Sequence, residues 1–256
     1  NGFAGLSLLI GGIKHKSQKF NIEGSTAYVA ILIPLITLCL ILPNFTKASS
    51  FGTFSIPQSV IIAIACVALY VIFLIKQTIT HKEYFKFSLS RPENDIKDHE
   101  HTVTGSVGYH VILLVLGLLV MILLSKNLSL FLNFSIQKAG LPEALGGVII
   151  AMLVLIPEGF SAVQAAYKNE LQRSINLCMG GAVATICLTV PAITIISLAL
   201  GKNIILGLSS ANIVLIILTF FITLVIFTAK KSSAMFGAIL LSVFIVYIAL
   251  IFDIKQ

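Results

Sequence analysis

Gly146-Gly-Val-Ile-Ile-Ala-Met-Leu-Val-Leu-Ile-Pro157-Glu158-Gly159-Phe-Ser161-Ala162 sets one carboxylic acid deep inside an apolar run. If the run is a membrane span beginning near residue 143, Glu158 lies about sixteen residues in, close to mid-bilayer depth. An ionisable group there costs a few kcal/mol on insertion scales, so it faces the protein interior or a water-filled cavity. Pro157 brings no N–H, and its ring disrupts the helical bond to the carbonyl of Leu153. Gly159 is expected to loosen the helix further. The result is a carboxylate beside freed carbonyl oxygens, a hard-oxygen environment suited to Ca²⁺, Na⁺ or K⁺. The bland reading, a kink with a protonated glutamate bonded to a neighbouring helix, is weaker, because Glu158 is the one acid the hydropathy pattern places deep in a span.

The rest of the chain fits a membrane protein. Hydrophobic residues make up 57% of it and charged residues 11%, against about 25% charged in a soluble domain. Mean hydropathy is +1.04. The apolar residues fall into blocks of about 17–26, the length of a spanning helix; the alternating segments of ~10 residues that a β-barrel requires are not seen. The expected fold is an all-α transmembrane bundle, with a partial segment at 1–11 and spans near 27–43, 57–75, 108–131, 143–167, 175–200, 212–228 and 234–252. Ser55 with Pro57, and Pro142 with Glu143, mark helix starts. Cys39, Cys66, Cys178 and Cys187 lie in apolar blocks without CxxC spacing and read as small core residues. No secretory signal is visible ahead of the first apolar stretch, and a start at Asn1 without methionine suggests a truncated N-terminus.

Alternating the loops between two sides puts Lys47, Lys126, Lys138, Lys202 and Lys255 on one side and the other twelve of the 17 Lys and Arg on the opposite side. The richer side is then cytoplasmic and the C-terminus extracytoplasmic. Topology therefore accounts for the net charge of +7, and nucleic acid is not an expected partner. The polar stretch 77–107 separates two spans and a helix tail from five spans. This predicts residues 1–76 as the end of a first five-helix repeat, 77–107 as an acidic and histidine-bearing cytoplasmic linker, and 108–256 as a complete second repeat of opposite orientation. Inverted repeats of this kind mark secondary transporters, which bind substrate near the midplane.

The span after Glu158 carries a small-residue face, with Gly180 four residues before Ala184 and Gly181 four before Thr185, which lets another helix approach closely. Thr185 sits at a depth similar to that of Glu158 and offers a hydroxyl oxygen; its alternative role is a bond to its own backbone. Pro191 frees the carbonyl of Cys187. The cluster Arg91 to His101 reads as a solvated linker before a sensor, and Glu143 as a first-turn acid. His15, His81 and His110 lack the partners of a metal site.

The run Leu141-Pro-Glu-Ala-Leu, the Pro157-Glu158 pair and Asn169-Glu-Leu-Gln-Arg-Ser-Ile-Asn176 resemble the calcium/proton antiporter family of the calcium:cation antiporter superfamily. The nearest branch is the bacterial sodium (potassium, calcium)/proton antiporters. Asn1-Gly-Phe-Ala-Gly-Leu-Ser-Leu-Leu-Ile-Gly-Gly, with His15 and Gln18-Lys-Phe-Asn21, resembles the end of that family's first α-repeat. The resemblance implies a leading helix and two inverted five-helix halves. It implies that Glu158 is the transport and metal-binding carboxylate, with Thr185 near the polar position of the partner helix; Ser161, Pro157, Leu153 and Asn1 complete the expected cation and proton site. The glutamate of the first α-repeat is expected upstream of Asn1, so this chain is expected to hold half a site and not to transport alone. Val154-Leu155 stands where members carry Gly-Asn, and Gly181 and Ala184 where they carry Ser or Gln, which thins the oxygen shell and leaves Na⁺ and K⁺ open beside Ca²⁺.

The expected function is export of a cation in exchange for protons across a bacterial inner membrane. Inorganic cations, protons and lipid are the partners, a homo-oligomer is allowed, and no cofactor is needed. Two readings compete. A membrane-embedded enzyme would need a nucleophile and base, or a metal cluster, inside the spans; no span pairs His with Ser at helical spacing, apart from His110 at an edge. A channel or scaffold subunit would show no dependence on Glu158.

Overall fold

The computed structural model describes residues 1–46, 51–86, 107–201, 205–229 and 231–253. The described residues are helical apart from turns and a single β-bridge between Gln18 and Ser232. The order is α1 (Gly2–His15), α2 (Ile22–Ile36), α3 (Ile56–Ile75), the short α4 (Lys82–Phe85), α5 (Val107–Lys138), α6 (Glu143–Tyr167), α7 (Leu171–Leu200), α8 (Ser210–Thr228) and α9 (Ala234–Asp253). Seven segments are long and apolar enough to cross a membrane: Ile22–Phe45, Ile56–Thr80, Gly108–Lys138, Ala144–Tyr167, Leu171–Leu200, Ser210–Thr228 and Ala234–Phe252. The cluster at 91–101 falls outside the described residues.

Local chemistry sets the boundaries. The Asn21 side chain accepts the Gly24 N–H at 3.1 Å and caps α2, a standard use of a short polar side chain. Gln58 accepts the Ser55 N–H at 3.0 Å, and Pro57 stands in the first turn of α3. Gly140 and Asn169 take left-handed φ of 65° and 66° where α5 and α6 end. At each, the next N–H reaches back five residues, Leu141 to Ile136 at 3.0 Å and Glu170 to Ala165 at 2.9 Å, which satisfies a carbonyl the helix end leaves over. Pro34, inside α2, removes an N–H, and the helix widens into a π turn at Thr37–Ile41 three residues later.

Several boundaries differ from the sequence expectation, among them the first helix, which runs to His15 rather than 11. Helix α2 begins at Ile22 rather than 27, because Gly24 and Ser25 are buried. Helix α7 begins at Leu171 rather than 175, since Gln172 and Ser174 are buried in its first turn. Helix α5 runs on to Lys138, as no Gly or Pro interrupts it before Gly140. Pro157 does not break α6, which is continuous from Glu143 to Tyr167.

Packing divides the chain into two compact units. One takes Asn1–Phe87 with Pro157–Tyr247, the other Ser88–Ile156 with Ile248–Gln256. The core of the first lies among α2, α3, α7 and α8 and includes Tyr28, Leu35, Cys39, Cys66, Phe73, Val183, Cys187 and Ile226. Tyr28 is fully buried, with the Phe73 ring 5.2 Å away and the Phe85 ring edge-on at 5.5 Å. Within the second, Gly146 of α6 lies against Ile136 of α5.

Candidate functional site

Glu158 is on α6, in the first unit; it is exposed rather than enclosed in the packed interior, and its carboxylate is turned toward α7. A β-carbon built on Gly181 would lie 2.7 Å from Glu158 Oε2, so the absence of a side chain at Gly181 is what lets the carboxylate approach that helix. The neighbouring Gly180 faces elsewhere, toward the Tyr28 ring of α2. The small-residue face of α7 therefore serves two purposes, helix packing at Gly180 and access for the acid at Gly181.

Gly159 was expected to loosen α6. Instead its bare backbone seats the ring of Phe3 from α1, which locks α1 onto α6 one residue from the acid. Helices α1, α6 and α7 thus converge where the carboxylate sits.

The other expected site residues are placed less closely. Thr185 is exposed one turn beyond Gly181, and its carbonyl accepts the Thr189 hydroxyl at 2.7 Å. Ser161 is exposed, three residues past Glu158 on α6. Asn1 sits at the start of α1, and its amide donates to Thr219 Oγ1 on α8 at 2.8 Å. Pro157 lies within continuous helix. Leu153 is exposed and belongs to the second unit, so its carbonyl is described apart from this arrangement.

Sequence reasoning missed a network of uncharged amides at the end of the bundle where most of the basic residues collect. Gln18, which is 2% exposed, donates to Ala166 O at 2.7 Å and to Asn169 Oδ1 at 3.1 Å. Gln172, 1% exposed, accepts the Asn21 N–H at 2.7 Å and donates to Asn176 Oδ1 at 2.9 Å. Asn176 donates to Phe85 O at 2.6 Å, and Gln77 to the Tyr28 hydroxyl at 2.9 Å. His15 Nε2 donates to Tyr167 O at 2.8 Å, and Lys14 Nζ stands 3.3 Å from the centre of the Tyr167 ring. The Tyr84 phenol, on α4, is raised above its ordinary pKa by the Glu23 carboxylate, first through its charge, then through a hydrogen bond, with desolvation adding to both. The visible signals were Gln18 to Asn21 and Asn169 to Asn176, polar but largely uncharged stretches at helix ends.

The opposite end is held by loops. Leu206 and Gly207 donate to Gly52 O at 2.9 and 3.0 Å, and Leu208 to Leu40 O at 3.0 Å. At the amide-rich end, Gln18 and Ser232 exchange both backbone bonds, at 3.2 and 2.9 Å.

Residues 1–79 and 109–252 match the family model described as sodium/calcium exchanger protein. An ionic transporter named y4hA from Sinorhizobium fredii, itself assigned only provisionally, is 39% identical over 98% of this chain and 67% of its own length. The sodium-potassium/proton antiporter ChaA of Escherichia coli is 31% identical over 98% of this chain and 68% of its own. The solved structure of native YfkE superposes with a TM-score of 0.75 at 22% identity, covering 98% of this chain and 70% of that one; that likeness bears on the fold. The chain belongs to the sodium/calcium exchanger protein family.

Proposed function

We propose that this protein is a secondary active transporter that exports Ca²⁺, Na⁺ or K⁺ across a bacterial inner membrane in exchange for protons. The observation that carries this reading is Glu158, an acid at mid-span depth whose carboxylate turns onto the glycine face of α7. A proton and a cation compete for one carboxylate, because protonation removes the charge that holds the cation and a bound cation favours the ionised form. A site that holds one or the other, and changes sides only when loaded, couples the two flows. Membership of the exchanger family supports this, as does a relative whose name specifies sodium-potassium/proton antiport. That relative speaks for monovalent ions beside Ca²⁺.

An inverted duplication, with 1–76 closing the first repeat, 77–107 as linker and 108–256 as the second, fits the loop contacts. Loop α2–α3 bonds to loop α7–α8 at one end, and loop α8–α9 to loop α1–α2 at the other. Those two pairs exchange places when α1–α2–α3 is superposed, upside down, on α7–α8–α9.

The test uses the full-length protein in everted membrane vesicles, reading dissipation of ΔpH on addition of Ca²⁺, Na⁺ or K⁺. Exchange is expected for at least one of them, and Glu158→Gln, which keeps the volume but cannot ionise, is expected to insert normally and abolish it. No cation response above empty vesicles would sink the antiporter reading. Wild-type exchange by the Gln variant would leave Glu158 a structural residue.

A further inference from the structure

We propose that Cys39 and Cys66 are a peroxide-reactive dithiol that closes to a disulfide and ties α2 to α3 inside the bundle. The proposal does not depend on the antiporter reading. The two sulfurs stand 2.9 Å apart, one thiol donating to the other from positions 27 residues apart in the chain. Both side chains are 0% exposed. Cys39 lies in the π turn Thr37–Ile41 that follows Pro34, and Cys66 in the middle of α3. Single π turns within longer helices recur at functional positions. A disulfide needs its sulfurs about 2.05 Å apart, so the pair closes by a relative movement of about 0.9 Å. Filling the core needs small side chains at 39 and 66, but it does not need them to meet sulfur to sulfur.

The surroundings select the oxidant. Both cysteines belong to the apolar core that holds Leu35, Val183 and Cys187. Charged reagents and protein disulfides do not reach a pair sealed there. Hydrogen peroxide is uncharged and hardly larger than water, and local opening of the helices admits it. Burial makes either thiol slow to react alone; the second sulfur, already in contact, carries the reaction to completion. One sulfur attacks a peroxide oxygen, the O–O bond breaks, and the departing hydroxide leaves as water with the thiol proton. The second sulfur then attacks the sulfenic acid so formed. An S–S bond forms, the S–O bond breaks, and the hydroxyl leaves as water with the second thiol proton. Two thiols and one peroxide give one disulfide and two waters, sulfur being oxidised and peroxide oxygen reduced.

The experiment uses the full-length protein in its membranes, treated with hydrogen peroxide, quenched with catalase and unfolded in detergent. Free thiols are then counted by the gel shift from a polyethylene glycol maleimide, with and without prior reduction by dithiothreitol. Cys178, the least buried cysteine, is replaced by alanine throughout. The parent form is compared with Cys39→Ala, Cys66→Ala and Cys187→Ala, with insertion checked by immunoblot and Cys→Ser used where an alanine form fails to insert. Peroxide is expected to remove a pair of labels from the parent and from Cys187→Ala, and dithiothreitol to restore them. With Cys39 or Cys66 replaced, that loss is expected to vanish. N-ethylmaleimide applied to the folded protein beforehand should leave the loss in place, because the pair is buried. An unchanged label count in the parent, a loss that survives replacement of Cys39 or Cys66, or one that disappears with Cys187 would overturn the proposal. So would protection by N-ethylmaleimide.

Discussion

Replacing Gln172 with leucine tests whether the amide network holds the bundle together. Leucine nearly matches glutamine in size but deletes the acceptor for the Asn21 N–H at 2.7 Å and the donor to Asn176 Oδ1 at 2.9 Å. Gln172 is 1% exposed, so water cannot easily replace either partner. Orphaning a buried polar group costs about 1–3 kcal/mol. The full cost falls on the Asn21 N–H at the cap of α2, whereas Asn176 Oδ1 keeps the Tyr28 hydroxyl at 3.4 Å. The sum is about 2–4 kcal/mol, of which leucine's extra apolar burial offsets roughly 1 kcal/mol. For a chain of this size each kcal/mol moves Tm by roughly 2–4 °C, so the expected fall is about 2–12 °C. Thermal denaturation of the detergent-solubilised full-length protein, followed by fluorescence-detected size exclusion, measures it. A Tm within about 2 °C of the unaltered protein would refute the claim that these amides carry the α2–α7 junction.

Two other outcomes are expected. Gly237→Val should destabilise the protein by about 2–3 kcal/mol, the cost of overpacking, because a β-carbon at Gly237 meets the backbone of α1 at Leu9 and Gly5; a melt of the same solubilised protein indistinguishable from the unaltered one would show that α1 and α9 are not packed backbone to backbone. Reporter fusions at the C-terminus should be active with alkaline phosphatase and dark with green fluorescent protein, as expected if the amide-rich end is cytoplasmic; the reverse pattern would invert the topology.

The number of the spans was legible because apolar blocks of spanning length have few alternative uses. The small-residue face of α7 was legible in the Gly180–Ala184 and Gly181–Thr185 spacing, and the fold adds that the Glu158 carboxylate turns onto it at Gly181. The starts of α2 and α7 were hidden for a common reason. Gln172 and Asn21 read as loop by polarity, yet each is satisfied by the other from 151 residues away, and pairing of that range leaves no local periodicity. Gly159 shows the same limit, because local sequence predicts a loosened helix and only the fold reveals the Phe3 ring lying on it. The π turn after Pro34 has a local cause, but its product, Cys39 Sγ at 2.9 Å from Cys66 Sγ, depends on the register of α3.

The distribution of charge ties the fold to the chemistry. At the amide-rich end, the buried contacts between loops use Gln18, Asn169, Gln172, Asn176, Gln77 and Tyr28, while basic residues such as Lys86 and Arg173 pair only with exposed or half-exposed acids at the surface. Neutral hydrogen bonds keep their strength as pH and ionic conditions change, whereas ion pairs weaken with salt and with protonation. If proton and cation compete at Glu158 as proposed, the framework must be indifferent to both; amides and hydroxyls supply that indifference at the helix ends, and Glu158 is the group whose charge would change with the load. The Gln172→Leu and Glu158→Gln substitutions should therefore separate cleanly, the first lowering Tm, the second removing exchange from a protein that melts where the unaltered one does.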